Sequence, residues 1–82
     1  MTAPLKLYST SSCHLCEQAA GILSALTAIN IAWEEIEISE NEALLECYGT
    51  RIPVLRHSAS GVELDWPFTE TEVIQLVSFQ AP

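Results

Sequence analysis

Apolar and polar residues alternate along the chain first with the period of a strand and then with the period of a helix. Residues 5–8 show strand-like alternation directly after Pro4. The next apolar residues recur three or four positions apart, which predicts a helix over residues 12–28 that is ended by Asn30. The apolar stripe of this helix consists of Leu15, Ala19, Ile22, Leu23 and Leu26.

The middle of the chain repeats this order of strand and helix. Residues 33–38 alternate again, with Glu35 and Glu37 on one face, which suits an edge strand because charge discourages pairing with another molecule. Ser39 opens a capping-box pattern and is expected to be the N-cap of a short second helix. Gly49 is expected to end that helix as a left-handed C-cap.

The last third of the chain contains two more short strands and a final helix. Residues 53–56 and 62–66 have strand character and predict a hairpin. Residues 69–72 form a second capping box, so the final helix is expected to begin there. Phe68 and Val73 stand at the positions of a hydrophobic staple across this helix start.

This order of elements, β-α-β-α-β-β-α, predicts an α/β fold. The first strand–helix–strand unit requires two parallel strands joined by a right-handed crossover, and the hairpin adds an antiparallel pair. The expected architecture is a four-stranded mixed sheet packed with three helices, formed by residues 1–82 as a single domain. Open α/β sheets place their sites at the carboxyl ends of strands, which here directs attention to the residues after the first strand.

The charge and composition of the chain limit the classes of partner that it is expected to bind. Eleven acidic residues against three lysines and arginines give a net charge of −8. Such a surface repels phosphate groups, so neither nucleic acid nor a membrane is expected as a partner. The N-terminus lacks the pattern of a secretory signal. Because the cysteine count is odd, the chain differs from a disulfide-stapled secreted protein, and a cytoplasmic location is expected. The chain is also expected to be a monomer.

Two cysteines three positions apart indicate the clearest chemistry. Cys13 and Cys16 would lie within one turn at the start of the first helix, close enough to form a disulfide. Free N–H groups and the helix dipole stabilise an anion there, so Cys13 is expected to be the nucleophilic thiolate. Cys16, one turn further and less exposed, would resolve the mixed disulfide. The pattern therefore predicts thiol–disulfide exchange.

Three segments of the chain resemble the glutaredoxins of the thioredoxin superfamily. They are residues 7–9 (Leu-Tyr-Ser), 13–16 (Cys-His-Leu-Cys) and 51–55 (Arg-Ile-Pro-Val-Leu). The resemblance extends over essentially the whole chain and implies a thioredoxin fold. It also implies that Pro53 is a cis-proline facing the cysteines, and that Ile52 presents its backbone N–H and C=O groups to an extended substrate.

The same resemblance implies a substrate-binding surface around the cysteine pair. Its expected residues are His14, Arg51, Ile52, Pro53, Asp65 and Trp66. Glutathione would be a co-substrate, and no tightly bound cofactor is expected. Thr10 stands where glutaredoxins usually carry a lysine, and residues 65–68 replace the paired-glycine turn that helps to hold glutathione. Regeneration by glutathione and regeneration by a reductase protein therefore both stay open.

Some of these residues also have a purely structural interpretation. Trp66 could belong to the core, and His57 is expected in a surface loop after the third strand. Cys47 shares an apolar helix face, so burial is expected, with a regulatory or second resolving thiol as the alternative. A structural zinc site normally shows two tight ligand pairs, whereas this chain has one, so no bound metal is expected.

The sequence thus predicts a thiol–disulfide oxidoreductase whose dithiol reduces a disulfide-containing protein or a glutathione mixed disulfide. A glutaredoxin-like binding module with a weak or vestigial redox pair is the alternative from a different class. A carrier of a metal or an iron–sulfur cluster is a further, less favoured alternative, because clusters in glutaredoxins usually rely on glutathione as a ligand. Neither the natural substrate nor the direction of exchange follows from the sequence.

Overall fold

A computed structural model describes residues 4–26 and 32–79, and these residues form a sheet packed with helices. The strands are β1 (Leu5–Ser9), β2 (Trp33–Glu37), β3 (Val54–His57) and β4 (Glu63–Asp65). The helices are α1 (His14–Ala25), α2 (Glu42–Tyr48) and α3 (Glu70–Phe79). The α/β fold, with its four-stranded mixed sheet, three helices and predicted order of elements, is confirmed.

The topology of the sheet brings one end of each of its four strands together. The strands lie in the order β2-β1-β3-β4, with β1 parallel to β2 and antiparallel to β3, and with β4 antiparallel to β3. In one row of the sheet, Tyr8 is paired with Ile36 on one side and Val54 on the other, and Val54 is paired with Asp65. We call the end of the sheet marked by this row the cysteine end, because β1 leads from it toward Cys13.

The core lies on both faces of the two central strands. Leu7 on β1 is paired with Leu55 on β3, and both side chains are fully buried. The larger buried cluster joins this face to α1 and α3 and contains Leu5, Leu7, Ala19, Leu23, Leu55, Phe68, Val73 and Leu76. Since neighbouring residues of a strand point to opposite faces, Tyr8 and Val54 enter a second cluster with Ile38 and Tyr48.

Helix α1 is shorter than predicted over residues 12–28. It spans His14–Ala25, with Cys13 as N-cap. Ser12 cannot belong to it because its φ of 61° is left-handed. The helix stops where Leu26, its C-cap, donates its backbone N–H to a carbonyl one turn back. The predicted end at Asn30 lies outside the described residues.

The buried stripe of α1 differs from the predicted one at its first position. Leu15 is 44% exposed, whereas Cys16, Ala19 and Leu23 are buried. These three residues are spaced by three and four positions, which places them on one helix face. The prediction for Leu15 was wrong because Cys16, a small apolar residue, occupies the first position of that face.

Both predicted caps of α2 need correction. Asn41 is the N-cap, and its side-chain oxygen accepts a hydrogen bond from the N–H of Leu44 at 3.1 Å. Ser39 instead donates its backbone N–H to a carboxylate of β2. Gly49 does follow the helix, but its φ of −53° is right-handed. Glycine fits here because an added Cβ would lie 2.5 Å from the carbonyl oxygen of Leu45.

The start of α3 agrees with the sequence. Thr69 Oγ1 accepts the N–H of Glu72 at 3.2 Å, and a carboxylate oxygen of Glu72 accepts the N–H of Thr69 at 2.9 Å. Phe68 and Val73 are both buried in the larger cluster. The second capping box is therefore confirmed. No helix among the described residues is both long enough and apolar enough to cross a lipid bilayer.

Two side chains lie in environments opposite to those expected. His57 is the last residue of β3 rather than part of a loop, and it is only 5% exposed, with Nδ1 at 3.0 Å from Ser60 Oγ. Cys47 on α2 is exposed rather than buried. Tyr48 is the buried residue of this helix, and Leu44 packs partly buried against the same cluster, so Cys47 lies outside the face that meets the core.

Leu55→Ala should lower the free energy of unfolding by about 2–5 kcal/mol, because a fully buried leucine leaves a cavity when it is truncated. Urea denaturation followed by circular dichroism measures this loss. Leu45→Ala is the matched control, since Leu45 is 42% exposed and the same truncation should cost much less. Equal losses in the two variants would contradict the core described here.

Candidate active site

The two cysteines lie at the amino end of α1. They are joined by a disulfide, with their Cα atoms 5.2 Å apart. Cys13 is half-buried, whereas Cys16 is 2% exposed. The backbone N–H of Cys16 donates to Cys13 Sγ at 3.2 Å, so Cys13 caps the helix through its sulfur. After reduction, the same N–H and the helix dipole would stabilise a thiolate on Cys13.

A carboxylate at the end of β2 holds the segment that leads to Cys13. One oxygen of Glu37 accepts the N–H of Ser11 at 3.0 Å, and the other accepts the N–H of Ser39 at 3.1 Å. Hydrogen bonds from the Thr10 hydroxyl first, and then from the backbone of Ser39, lower the pKa of Glu37 to about 2. Glu37 therefore ties the loop after β1 to the neighbouring strand.

A polar cavity lies beside this loop at the cysteine end. Its volume is about 330 Å³, and it is lined by Ser9, Thr10, Ser11, Glu35 and Glu37. The hydroxyl of Ser9 donates to a carboxylate oxygen of Glu35 at 2.6 Å. The sequence indicated only an edge strand from these two glutamates. Glu37 is paired with the last residue of β1, and the only sequence signal for this was that both glutamates stand near the end of a strand predicted to be parallel to the first.

The segment before β3 reaches the same end of the sheet. The Ile52–Pro53 peptide bond is cis, and so is the Trp66–Pro67 bond. The register of β3 with β1 places Pro53 beside the end of β1. The backbone N–H of Ile52 donates to the carbonyl of Tyr48 at 3.0 Å. This N–H is therefore already engaged, contrary to the expectation that Ile52 offers both backbone groups to a substrate.

Arg51 is held by two carboxylates of β4. Its guanidinium makes two hydrogen bonds to Asp65, at 2.6 and 3.3 Å, and one to Glu63 at 3.0 Å. These bonds, with Asp65 first, raise the pKa of Arg51 above its already high ordinary value. The two expected substrate-binding residues Arg51 and Asp65 are thus brought together, but they bind each other.

Glu63 collects three hydrogen bonds from around this segment. It accepts from the Tyr48 hydroxyl at 2.5 Å and from Arg51 and Arg56 at 3.0 Å each. Burial raises the pKa of Glu63, but the three hydrogen bonds outweigh it and hold that pKa below the ordinary value. Burial and the bond to Glu63 raise the pKa of Tyr48 to about 12. The network fixes the end of α2 against β4.

An aromatic stack completes the support of this end of the sheet. The rings of Tyr8 and Tyr48 are stacked with centroids 4.3 Å apart, and the guanidinium carbon of Arg51 lies 5.3 Å from the Tyr48 ring centroid. Sequence reasoning missed both Tyr48 and Glu63. A weak signal existed, because Glu63 alternates with Asp65 along a strand that was expected to lie near Arg51.

The remaining predicted site residues fall in two environments. The His14 side chain is 82% exposed, and its Nδ1 lies 3.9 Å from the carboxylate of Glu17. Trp66 packs against the larger core cluster and makes an edge-to-face contact with Phe68 at 5.2 Å between centroids. Within residues 4–26 and 32–79, no group of three histidine, cysteine or acidic side chains is placed to hold a metal ion.

Comparisons with known proteins identify the family. A family model described as a glutaredoxin-like domain (DUF836) matches residues 4–78. An X-ray structure of protein XcR50 from X. campestris is 40% identical and superposes with a TM-score of 0.79, covering 95% of this chain and 99% of that one. The solution structure of XcR50 is 39% identical, with a TM-score of 0.78 and 96% coverage of both chains.

A third solved structure comes from a second organism. The solution NMR structure of protein Ne2328 from Nitrosomonas europaea is 32% identical, with a TM-score of 0.75, covering 94% of this chain and 92% of that one. None of the curated proteins matches the chain. The chain belongs to the glutaredoxin-like domain family, which confirms the resemblance to the thioredoxin superfamily.

Glu37→Gln should destabilise the protein above pH 4.5 and have progressively less effect toward pH 2. The folded-state pKa of Glu37 is lowered, so its ionised form contributes stability above the ordinary pKa, and this contribution is lost as the pH falls through the folded value. Urea denaturation of the wild type and variant from neutral to strongly acid pH measures the difference.

Glu40→Gln is the control for this pH series, since no hydrogen bond or ion pair is described for the exposed Glu40 side chain. It should leave the unfolding free energy nearly unchanged at every pH. A Glu37→Gln effect of constant size down to pH 2 would show that the Glu37 carboxylate does not hold the loop.

Proposed function

We propose that this protein is a thiol–disulfide oxidoreductase that reduces disulfides through Cys13 and Cys16. The observation that supports the proposal most directly is the disulfide at the amino end of α1, where the sulfur of Cys13 accepts the N–H of Cys16. This position offers stabilisation to a thiolate, and the half-buried Cys13 is the more accessible of the two sulfurs. Membership of the glutaredoxin-like family is compatible with this chemistry.

The reduced form of the pair begins the reaction. The Cys13 thiolate attacks one sulfur of a substrate disulfide, a bond forms between the two sulfurs, and the other substrate sulfur leaves with the electron pair and takes up a proton. Cys16, after losing its proton, then attacks Cys13 Sγ and releases the second substrate thiol. The substrate gains two electrons, and the protein is left with the Cys13–Cys16 disulfide that the structure contains.

A second turnover requires an external reductant. Two thiols of glutathione, or one dithiol of a reductase protein, would reduce the Cys13–Cys16 disulfide by the reverse exchange. Both reductants are compatible with a reducing compartment, and we propose a cytoplasmic monomer. Of the expected substrate-binding residues, His14 has an 82% exposed side chain, whereas Arg51 is bound by Asp65.

Cys13→Ser should abolish reduction of a protein disulfide, because the attacking sulfur is lost. Cys16→Ser should instead stop the reaction at a mixed disulfide on Cys13, which mass spectrometry detects as an added mass. Insulin reduction measures turnover, with glutathione and its reductase in one series and a dithiol reductase protein in another, and the mixed disulfide of Cys16→Ser is trapped without added glutathione. Cys47→Ser is the matched control, and it should keep full activity because Cys47 lies outside the pair on α2.

Turnover that survives in Cys13→Ser would refute the assigned nucleophile. No turnover by the wild type with either glutathione or a dithiol reductant, together with no mixed disulfide in Cys16→Ser, would refute the oxidoreductase proposal. That second result would instead support a glutaredoxin-like binding module whose pair is not used in catalysis.

A further inference from the structure

The cysteine end of the sheet carries an unbalanced negative charge. Glu37 lies at the end of β2 and binds the loop that leads to Cys13, and Glu35 lines the same cavity. On the other side of the loop, Glu17 stands in the first turn of α1, where its N–H bonds to the carbonyl of Cys13. Its side chain is 77% exposed. Three carboxylates therefore lie on the segments that flank the cysteine pair, two in the cavity beside the loop and one in the first turn of α1.

The cations of the chain do not offset these carboxylates. The sequence contains only three lysines and arginines. Arg51 is bound to Asp65 and Glu63, and Arg56 is bound to Glu63, so these two cations and two carboxylates neutralise one another. Lys6 is paired in the sheet with Glu34, two residues back from Tyr8. His14 adds a positive charge only when it is protonated.

This excess of negative charge affects which substrate disulfides can approach Cys13. Glutathione carries two carboxylates and one ammonium group, and a free cation at the site would attract its carboxylates. Arg51 lies two residues before Pro53 at this end of the sheet, and Asp65 already binds its guanidinium through two hydrogen bonds. The carboxylates therefore repel an anionic disulfide, and both arginine guanidinium groups are already bound by other carboxylates.

We propose that the substrate is a protein disulfide flanked by positively charged side chains, and that the Arg51–Asp65 pair makes the site select against glutathione. This inference rests on the proposed thiol–disulfide exchange and narrows its substrate class. The exchange itself is unchanged: Cys13 attacks one sulfur of the cationic segment, and the partner sulfur leaves with the electron pair.

The size of the effect follows from Coulomb's law. A unit charge about 8 Å from a reacting group in water changes its local concentration by roughly twofold at low ionic strength. Three carboxylates at such a distance would favour a cation over a neutral reagent by several-fold, and over an anion by at least about tenfold. Salt should remove most of this preference, since the screening length falls from about 30 Å at 0.01 M to about 3 Å at 1 M.

The experiment uses three small disulfides of similar shape and different charge. Cystamine is cationic, hydroxyethyl disulfide is neutral and dithiodiglycolate is anionic. Each reacts with the reduced protein carrying Cys16→Ser and Cys47→Ser, so that Cys13 is the only thiol and the mixed disulfide is the end product. Stopped-flow mixing at pH 8, where histidine ordinarily carries no charge, gives second-order rate constants.

Two reference rate constants separate the effect of the protein's charge from the intrinsic reactivity of Cys13 and of each disulfide. Each rate constant is divided by that of the neutral disulfide with the same protein, which cancels changes in the reactivity of Cys13. The same ratio for free mercaptoethanol corrects for differences among the reagents. We expect a corrected cystamine-to-dithiodiglycolate ratio of at least about tenfold at 0.01 M salt that approaches one at 1 M salt.

Two substitutions test the residues named. Glu17→Gln should lower the corrected preference for cystamine by about twofold, because it removes one exposed carboxylate beside the pair. Asp65→Asn should raise the relative rate of the anionic disulfide at least twofold, because it leaves the Arg51 charge partly free. Glu34→Gln is the control because it removes the same charge at a position about 10 Å from Glu37 along β2. It should change the relative rates of the charged disulfides very little.

Three results would overturn the inference. The first is a corrected cystamine-to-dithiodiglycolate ratio near one at low salt, and the second is a ratio that salt does not change. The third is an equal shift in Asp65→Asn and Glu34→Gln. Reaction of Cys13 with clear charge selectivity but without turnover by the wild type would refute only the oxidoreductase proposal. No reaction with any of the three disulfides would refute both.

Discussion

The antiparallel pairing of β1 with β3 is the constraint on which the rest of the molecule depends. Both strands contribute buried residues to both faces, and the Leu7–Leu55 pair is fully removed from solvent. This pairing brings the end of β1 next to the start of β3. As a result, the loop to Cys13 and the segment containing Pro53 meet at one end of the sheet, although about forty residues of sequence separate them.

The supports of this end come from outside the central strands. Glu37 holds the loop on one side through backbone N–H groups, and Glu63 holds the end of α2 on the other side through Tyr48 and the two arginines. In each case a carboxylate accepts several donors, which satisfies groups that would otherwise require water. The acidic side chains around the cysteine pair therefore hold loops and helix ends in place through hydrogen bonds, and they also contribute negative charge.

Features governed by neighbouring residues were predictable from the sequence. The capping box at Thr69 and the cysteine pair at the helix start depend on contacts within one turn, and both have the expected form. The cap of α2 was not predictable in this way. Ser39 and Asn41 are both good N-caps, and the choice between them follows from Glu37, which binds the N–H of Ser39 from the neighbouring strand end.

The hydrogen-bond network of Arg51, Asp65 and Glu63 depends on contacts between residues far apart in the sequence, and the sequence did not predict it. Arg51 was expected near Cys13, but its pairing with Asp65 follows from the register of β3 with β4. The burial of His57 likewise follows from β3 ending one residue later than predicted, at 57 instead of 56, and from a contact to Ser60. Periodicity identifies the elements, whereas the partners of polar side chains require the three-dimensional arrangement.

The two outer strands also determine how the molecule behaves in concentrated solution. On one side, β2 carries three glutamates within five residues, and on the other, β4 has only three residues. A second molecule that tried to extend the sheet would meet electrostatic repulsion at β2 and too few main-chain partners at β4. Growth into fibrils by strand addition is therefore disfavoured from both sides while the fold remains intact.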